Sequence, residues 1–236
     1  LIALWYYWRK LKPEFDLKLK SSVSSGQLSY TSIYKEVITY SIPYVFVGIA
    51  NPLFQLVDML TFNTAMSNIG LAKVSDEYLG MLNFTTQKIV IIPVMLATGF
   101  SMALVPAITN YYTRKQNGAL INAMDKTYQV LLFVTLPAVV GISLLSTDIY
   151  HLLYSESAMG SSILAFYAPV AILFALFQVT AALLQGIDYQ KWIVFSLLTG
   201  ILVKLAINIP LIQSFETKGA IMATAIGYLI SILINI

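Results

Sequence analysis

Residues 78–112 read YLGMLNFTTQKIVIIPVMLATGFSMALVPAITNYY. The run is apolar and long enough to cross a bilayer, since about 20 helical residues at 1.5 Å each span about 30 Å of hydrocarbon. One cation, Lys88, sits well inside it. A charge at the centre of a membrane helix costs about 2.5–3.5 kcal/mol on insertion scales, so it persists where it faces a partner or a wet cavity. Lys88 is the first functional candidate.

The rest of the composition fits that reading. Of the 236 residues 58% are hydrophobic and 11% charged, and the mean hydropathy is +0.77. So few polar side chains cannot cover a soluble globule of this size, and the chain reads as an all-α integral membrane protein. The net charge of +3 is carried by basic clusters between apolar runs, which points to membrane topology and not to nucleic acid. Cysteine is absent, which excludes disulfides and thiolate chemistry, and the single histidine, His151, offers no cluster for a transition metal. No phosphate-binding loop, dinucleotide fingerprint, nucleophile triad or paired-carboxylate set is visible. The chain therefore reads as a non-enzyme without cofactor or metal, and transport is the better class.

The chain divides by composition into three parts. Residues 1–8, ending in Trp5, Tyr6, Tyr7 and Trp8, look like the tail of a transmembrane helix with an interfacial aromatic belt. Residues 9–35 are polar and Ser-rich and read as a cytoplasmic linker between two bundles. Residues 36–236 hold the apolar runs 37–66, 78–112, about 123–145, 161–185 and 192–212, and one that begins near Gly219. A polar loop is expected at 67–77, and a short amphipathic surface loop at 147–157. Because the chain starts and stops inside apolar runs, it reads as a fragment. Pro43, Pro52, Pro93 and Pro106 each remove a backbone donor and are candidate kinks or hinges.

Alternating the loops from a cytoplasmic start puts Arg9, Lys10, Lys12, Lys18, Lys20, Lys35, Arg114, Lys115, Lys126 and Lys191 inside, against Lys73 and Lys218 outside. That bias is the positive-inside pattern. Three charges then remain within the membrane, Asp58, Lys88 and Lys204, and counting from the ends of antiparallel spans places them in one layer. Lys204 and Asn208, four apart, share a helix face that Thr224 on the next helix can approach. Asp58 can neutralise only one of the two lysines. Two readings stand for Asp58 and Lys204: a structural ion pair, or a part in coupling or gating. Lys88, without an evident carboxylate, is most simply explained by an anionic substrate, with Gln87 and Asn83 beside it in the chain as further cavity-lining candidates. The ordinary alternative for the two amides is interhelical hydrogen bonding.

The run QKIVIIPVMLATGFSMALVPAI, residues 87–108, resembles the eighth transmembrane helix of MurJ-type lipid II flippases, in the multidrug/oligosaccharidyl-lipid/polysaccharide exporter superfamily. There a basic residue precedes a mid-helix proline by five positions and a second proline closes the helix, a pattern met by Lys88, Pro93 and Pro106. SIPYVFVGIANPLFQLVDMLTFNTAM looks like the preceding helix, and LLQGIDYQKWIVFSLLTGILVKLAINIPLI like the tenth-to-eleventh junction of the branch that includes the YtgP and stage V sporulation B proteins. The resemblance implies the end of helix six, the linker and helices seven to part of twelve of a two-lobed, 14-helix MATE-like transporter whose N-terminal lobe lies elsewhere. It implies a flippase that carries an anionic, polyprenyl-pyrophosphate-linked cell-wall precursor across the bacterial cytoplasmic membrane by alternating access, with membrane lipids as its surroundings and Lys88 in the central cavity. It also implies a comparison with relatives that hold sodium between helices seven, eleven and twelve. Asp58, Asn208 and Thr224 match that set, whereas Lys204 stands where a neutral ligand would be, so its ammonium is expected to replace the ion. A flippase for another lipid-linked polysaccharide uses the same cation logic. A cation-coupled multidrug exporter needs an acidic or aromatic cavity instead, and Lys88 argues against it.

Overall fold

The computed structural model of the chain describes residues 30–236. The expectations for residues 1–8, and for most of the linker at 9–35, lie outside the described residues. The chain divides into two compact units, Leu1–Ser41 and Ile42–Ile236. The first helix, α1 (Tyr30–Gly48), starts in the former, so residues 30–35 are helical where a linker is expected. They contain neither Gly nor Pro to stop a helix, and polar residues beyond the hydrocarbon extend one freely.

Among the described residues every regular element is helical. After α1 come α2 (Ala50–Asn68), α3 (Ala72–Gly80), a π-helical turn Met81–Thr86, α4 (Gln87–Met102), α5 (Val105–Thr113), α6 (Asn117–Leu144), α7 (Ser146–Leu153), α8 (Ala158–Tyr167), α9 (Val170–Gly186), α10 (Gln190–Phe215) and α11 (Thr217–Asn235). Two expected loops are therefore helices. The 67–77 region turns only at 69–71, on Gly70 at φ 83°, and most of the rest is α3. The 147–157 region is mainly α7, whose alternation of apolar and polar residues folds onto the bundle through Tyr150.

The prolines act according to where they fall in a helix. Pro52 is the third residue of α2, and the backbone leaves helical dihedrals just before it at Ile49 (φ −95°, ψ 5°), although the Ile49 N–H still donates to the Val45 carbonyl at 2.9 Å. Pro106 opens α5 in the same way, so the run at 78–112 is not one bent helix: residues 103–104 separate α4 from α5. Pro43 lies within α1 and Pro93 within α4, both unbroken. At Pro169 the chain bends by 41° between α8 and α9. Among the described residues four helices are long and apolar enough to cross a membrane, Ala72–Gly99, Asn117–Leu144, Gln190–Phe215 and Thr217–Asn235, and a fifth crossing arises if α8 and α9 are one span. The stretch expected at 37–66 is not among them. Asn51, Gln55, Asp58, Thr61 and Asn63 make its second half, α2, polar along much of its length.

α2, α10 and α11 pack together, α4 packs against α6 and α9, and α9 reaches α11. The α10–α11 contact is close because it is built on small residues. A Cβ on Gly227 would lie 2.6 Å from Phe54 Cε1 and 2.8 Å from the Gly200 carbonyl oxygen. Beside them the Ser231 hydroxyl donates to the Ser196 carbonyl at 2.9 Å. That close approach puts Lys204 and Thr224 within reach of each other.

Candidate functional site

Lys204 is completely buried, and its ammonium donates three hydrogen bonds: to Asp58 Oδ2 at 2.7 Å, to the Phe54 carbonyl at 2.8 Å and to Thr224 Oγ1 at 2.8 Å. An ammonium has three protons, so none is left over. The other carboxylate oxygen, Asp58 Oδ1, accepts from Asn208 Nδ2 at 3.1 Å, and the same amide donates to Thr61 Oγ1 at 2.7 Å. The structure thus brings Asp58, Lys204, Asn208 and Thr224 into one network across α2, α10 and α11. A buried pair of this kind is neutral as a unit, and removing either partner strands a charge at a cost of about 3–5 kcal/mol.

Aromatic rings close the network off. Phe54 stacks on Tyr228 with ring centroids 4.2 Å apart, and Phe174 and Phe177 meet Tyr228 edge-on at 4.7 and 5.5 Å. Lys204 Nζ lies 5.6 Å from the centre of the Phe54 ring. The Tyr228 hydroxyl donates to Asn51 Oδ1. The empty space around the pair, which Gln87 and Tyr167 help to line, totals about 170 Å³ in gaps too narrow for a water-sized sphere. The ammonium fills the site.

Lys88 has the opposite surroundings. It is exposed on α4, and among the described residues it has no ion-pair or hydrogen-bond partner. Ile92 and Met95, at i+4 and i+7 from it, are 53% and 66% exposed, so the face α4 presents away from the bundle is apolar with one cation. Asn83 and Gln87 do not share that face. They are 6% and 9% exposed, and Gln87 instead reaches the crevice beside Asp58 and Lys204. The physical reason is rotation, since consecutive helical residues point about 100° apart and nearness in the chain is not nearness in space. Asn83 Nδ2, Thr86 Oγ1 and Gln87 Oε1 are buried and have no hydrogen-bond partner among the described residues.

Several contributors carry no signal in the sequence. The Phe54 carbonyl is a backbone atom, and Thr61 is one threonine among many in apolar runs. Thr85, Tyr150 and Tyr154 form a further polar contact, described below. A cleft of about 520 Å³ lined by Ser146, His151, Glu156 and Ser161 touches none of the intramembrane charges. No group of three or more potential metal ligands converges among the described residues.

A bundle of apolar helices closed around a neutralised ion pair, with a second cation on an open helix face, defines a multi-pass, all-α membrane protein. The chain belongs to the MatE family, whose model matches residues 43–210. It is 44% identical over 237 residues to the lipid II flippase MurJ of Bacillus subtilis (strain 168), an alignment covering 99% of this chain and 44% of that protein. It is 24% identical over 231 residues to the uncharacterized membrane protein YabM of the same organism, covering 97% of this chain and 42% of the relative. The chain therefore spans less than half the length of the curated relatives it matches. No solved structure matches it.

Proposed function

We propose that this chain is the lobe of a lipid II flippase that presents a headgroup-binding cation to a central cavity. The observation that carries the reading is the contrast between the two lysines. Lys204 has its carboxylate, whereas Lys88 is exposed and, among the described residues, unpaired well inside the apolar span Ala72–Gly99. A persistent unpaired cation at that depth calls for an anion that comes and goes. The pyrophosphate of a polyprenyl-linked precursor is such an anion, and the 44% identity to a protein named lipid II flippase supports that choice over other lipid-linked glycans. In this reading the exposed face of α4 turns toward the remainder of the protein, and two lobes rock about the cavity between them. The helix breaks ahead of Pro52 and Pro106, together with Pro43 and Pro93 inside their helices, supply the hinges. Lys204 acts as a built-in cation that holds α2, α10 and α11 together where a bound ion would otherwise be needed. The lipid tail stays in the bilayer while the headgroup crosses. An interior-negative potential draws the unliganded cation inward, at about 2.3 kcal/mol per charge per 100 mV.

The test is complementation of flippase-depleted cells by the full-length protein and by its Lys88→Ala variant. The wild type restores growth and the variant does not, at equal membrane abundance. Growth of the variant at the wild-type level removes the role given to Lys88.

A further inference from the structure

Three side-chain contacts from one outer segment converge on the π-helical turn that precedes Lys88. The Tyr154 hydroxyl donates to the Thr85 carbonyl at 3.3 Å. The Tyr150 hydroxyl lies 3.0 Å from Thr85 Oγ1. Since the single Thr85 hydroxyl proton already goes to the Met81 carbonyl at 2.9 Å, Tyr150 is the donor. The Ser157 hydroxyl reaches Met81 Sδ at 3.8 Å. The two tyrosine rings lean on each other with centroids 5.3 Å apart, and Tyr150 is 2% exposed. Its ring tip fits only because residue 160 is glycine: a Cβ there would lie 2.2 Å from Tyr150 Cζ.

The turn they hold is under-satisfied by itself. In a π-helix each carbonyl accepts from the residue five ahead instead of four, a register uncommon in proteins and concentrated at functional sites. The turn's Asn83 Nδ2 and Thr86 Oγ1, and Gln87 Oε1 just after it, are buried and have no hydrogen-bond partner among the described residues. Orphaned polar atoms inside an element kept in place by contacts from outside are what a second arrangement of that element can relieve. Collapse of the extra residue to α register turns everything downstream by about 100° relative to α3. Each position then takes roughly its neighbour's direction. For Gln87 and Lys88, one buried and the other exposed, that exchange decides which of them faces out.

We propose that Tyr150 and Tyr154 are positioning residues for Lys88: through Thr85 they hold Met81–Thr86 in the π register and so keep the ammonium directed to the open face of α4. Release of α7 lets the turn tighten and withdraws the cation. The biological consequence rests on the reading of Lys88 as the headgroup cation, but the test does not.

In the full-length protein carrying Lys88→Cys, the reaction rate of that thiol with a small charged reagent is measured alone and combined with Tyr154→Phe, Tyr150→Phe, Thr85→Val or Thr85→Ser. This chain contributes no other thiol. Tyr154→Phe, Tyr150→Phe and Thr85→Val each lower the rate, by up to about fivefold, since loss of one hydrogen bond shifts the equilibrium constant of a two-state register by about that factor; a faster reaction overturns the proposal. Thr85→Ser, which keeps the hydroxyl, retains the parent rate, and a Lys191→Cys reporter reacts alike in every background. If the tyrosine variants do not fold, Thr85→Val against Thr85→Ser decides. Equal rates at position 88 in all folded variants, including no reaction in any, overturn the proposal. Because no substrate is present, a positive result stands even if Lys88 fails the complementation test.

Discussion

At the level of single residues, two lysines of identical chemistry are given different tasks by their partners. Lys204 spends its three protons on Asp58, Thr224 and the Phe54 carbonyl. Asp58→Leu or Lys204→Met alone strands the other charge and lowers stability by about 3–5 kcal/mol, whereas the double replacement restores most of it. Thermal melting of the purified full-length protein checks both statements. The same melts in sodium and potassium chloride should coincide for the wild type, since Lys204 already fills the site. A sodium-specific stabilisation that disappears in Asp58→Ala contradicts the view of Lys204 as the resident cation. Asp58, Lys204, Asn208 and Thr224 were legible in the sequence because charge within apolar runs is rare and helical rise converts position into depth. The environment of Lys88 was not. Asn83 and Gln87 adjoin it along the chain, but the rotation of the helix, widened by the π turn, carries them inward. The tyrosines that grip that turn lie 65 and 69 residues from Thr85, a distance no local pattern bridges.

At the level of helices, small residues and prolines decide the joints. Gly227→Leu pushes a side chain into Phe54 and the backbone of α10, and costs about 1–3 kcal/mol by overpacking. Gly141→Ala on α6, where an added Cβ meets nothing within 4 Å, leaves stability unchanged or gains up to about 1 kcal/mol through helix propensity. Comparing the two melting temperatures separates close approach from glycine content as such. Pro43, Pro52, Pro93 and Pro106 stood out in the sequence as kinks and Pro169, where the chain bends by 41°, did not, because the outcome depends on position within the element. At the start of a helix, as with Pro52 and Pro106, the missing N–H coincides with a break, while Pro93 and Pro137 are carried inside intact helices. Length and apolarity located α6, α10 and α11 to within a few residues at most boundaries. They failed for α3 and α7, whose amphipathic sequences resemble loops until packing supplies a partner for the apolar side.

At the level of the whole molecule, the positive-inside pattern together with a crossing at α8–α9 predicts one topology for the described helices. Arg114 and Lys115 lie at the turn between α5 and α6, Lys191 at the start of α10, and Lys218 at the start of α11. In intact cells a membrane-impermeant thiol reagent therefore labels Lys218→Cys but reaches Arg114→Cys only after permeabilisation, and the reverse order refutes the orientation. The pairing of Asp58 with Lys204 also sets an order of construction. The two residues are 146 positions apart, so at about 5–20 residues per second α2 leaves the ribosome roughly 7–30 s before its counter-charge exists. During that interval α2 carries a bare carboxylate whose insertion costs about 2.5–3.5 kcal/mol. The carboxylate gains its counter-charge only when α10 arrives, so a nascent chain halted before residue 204 leaves Asp58 unneutralised.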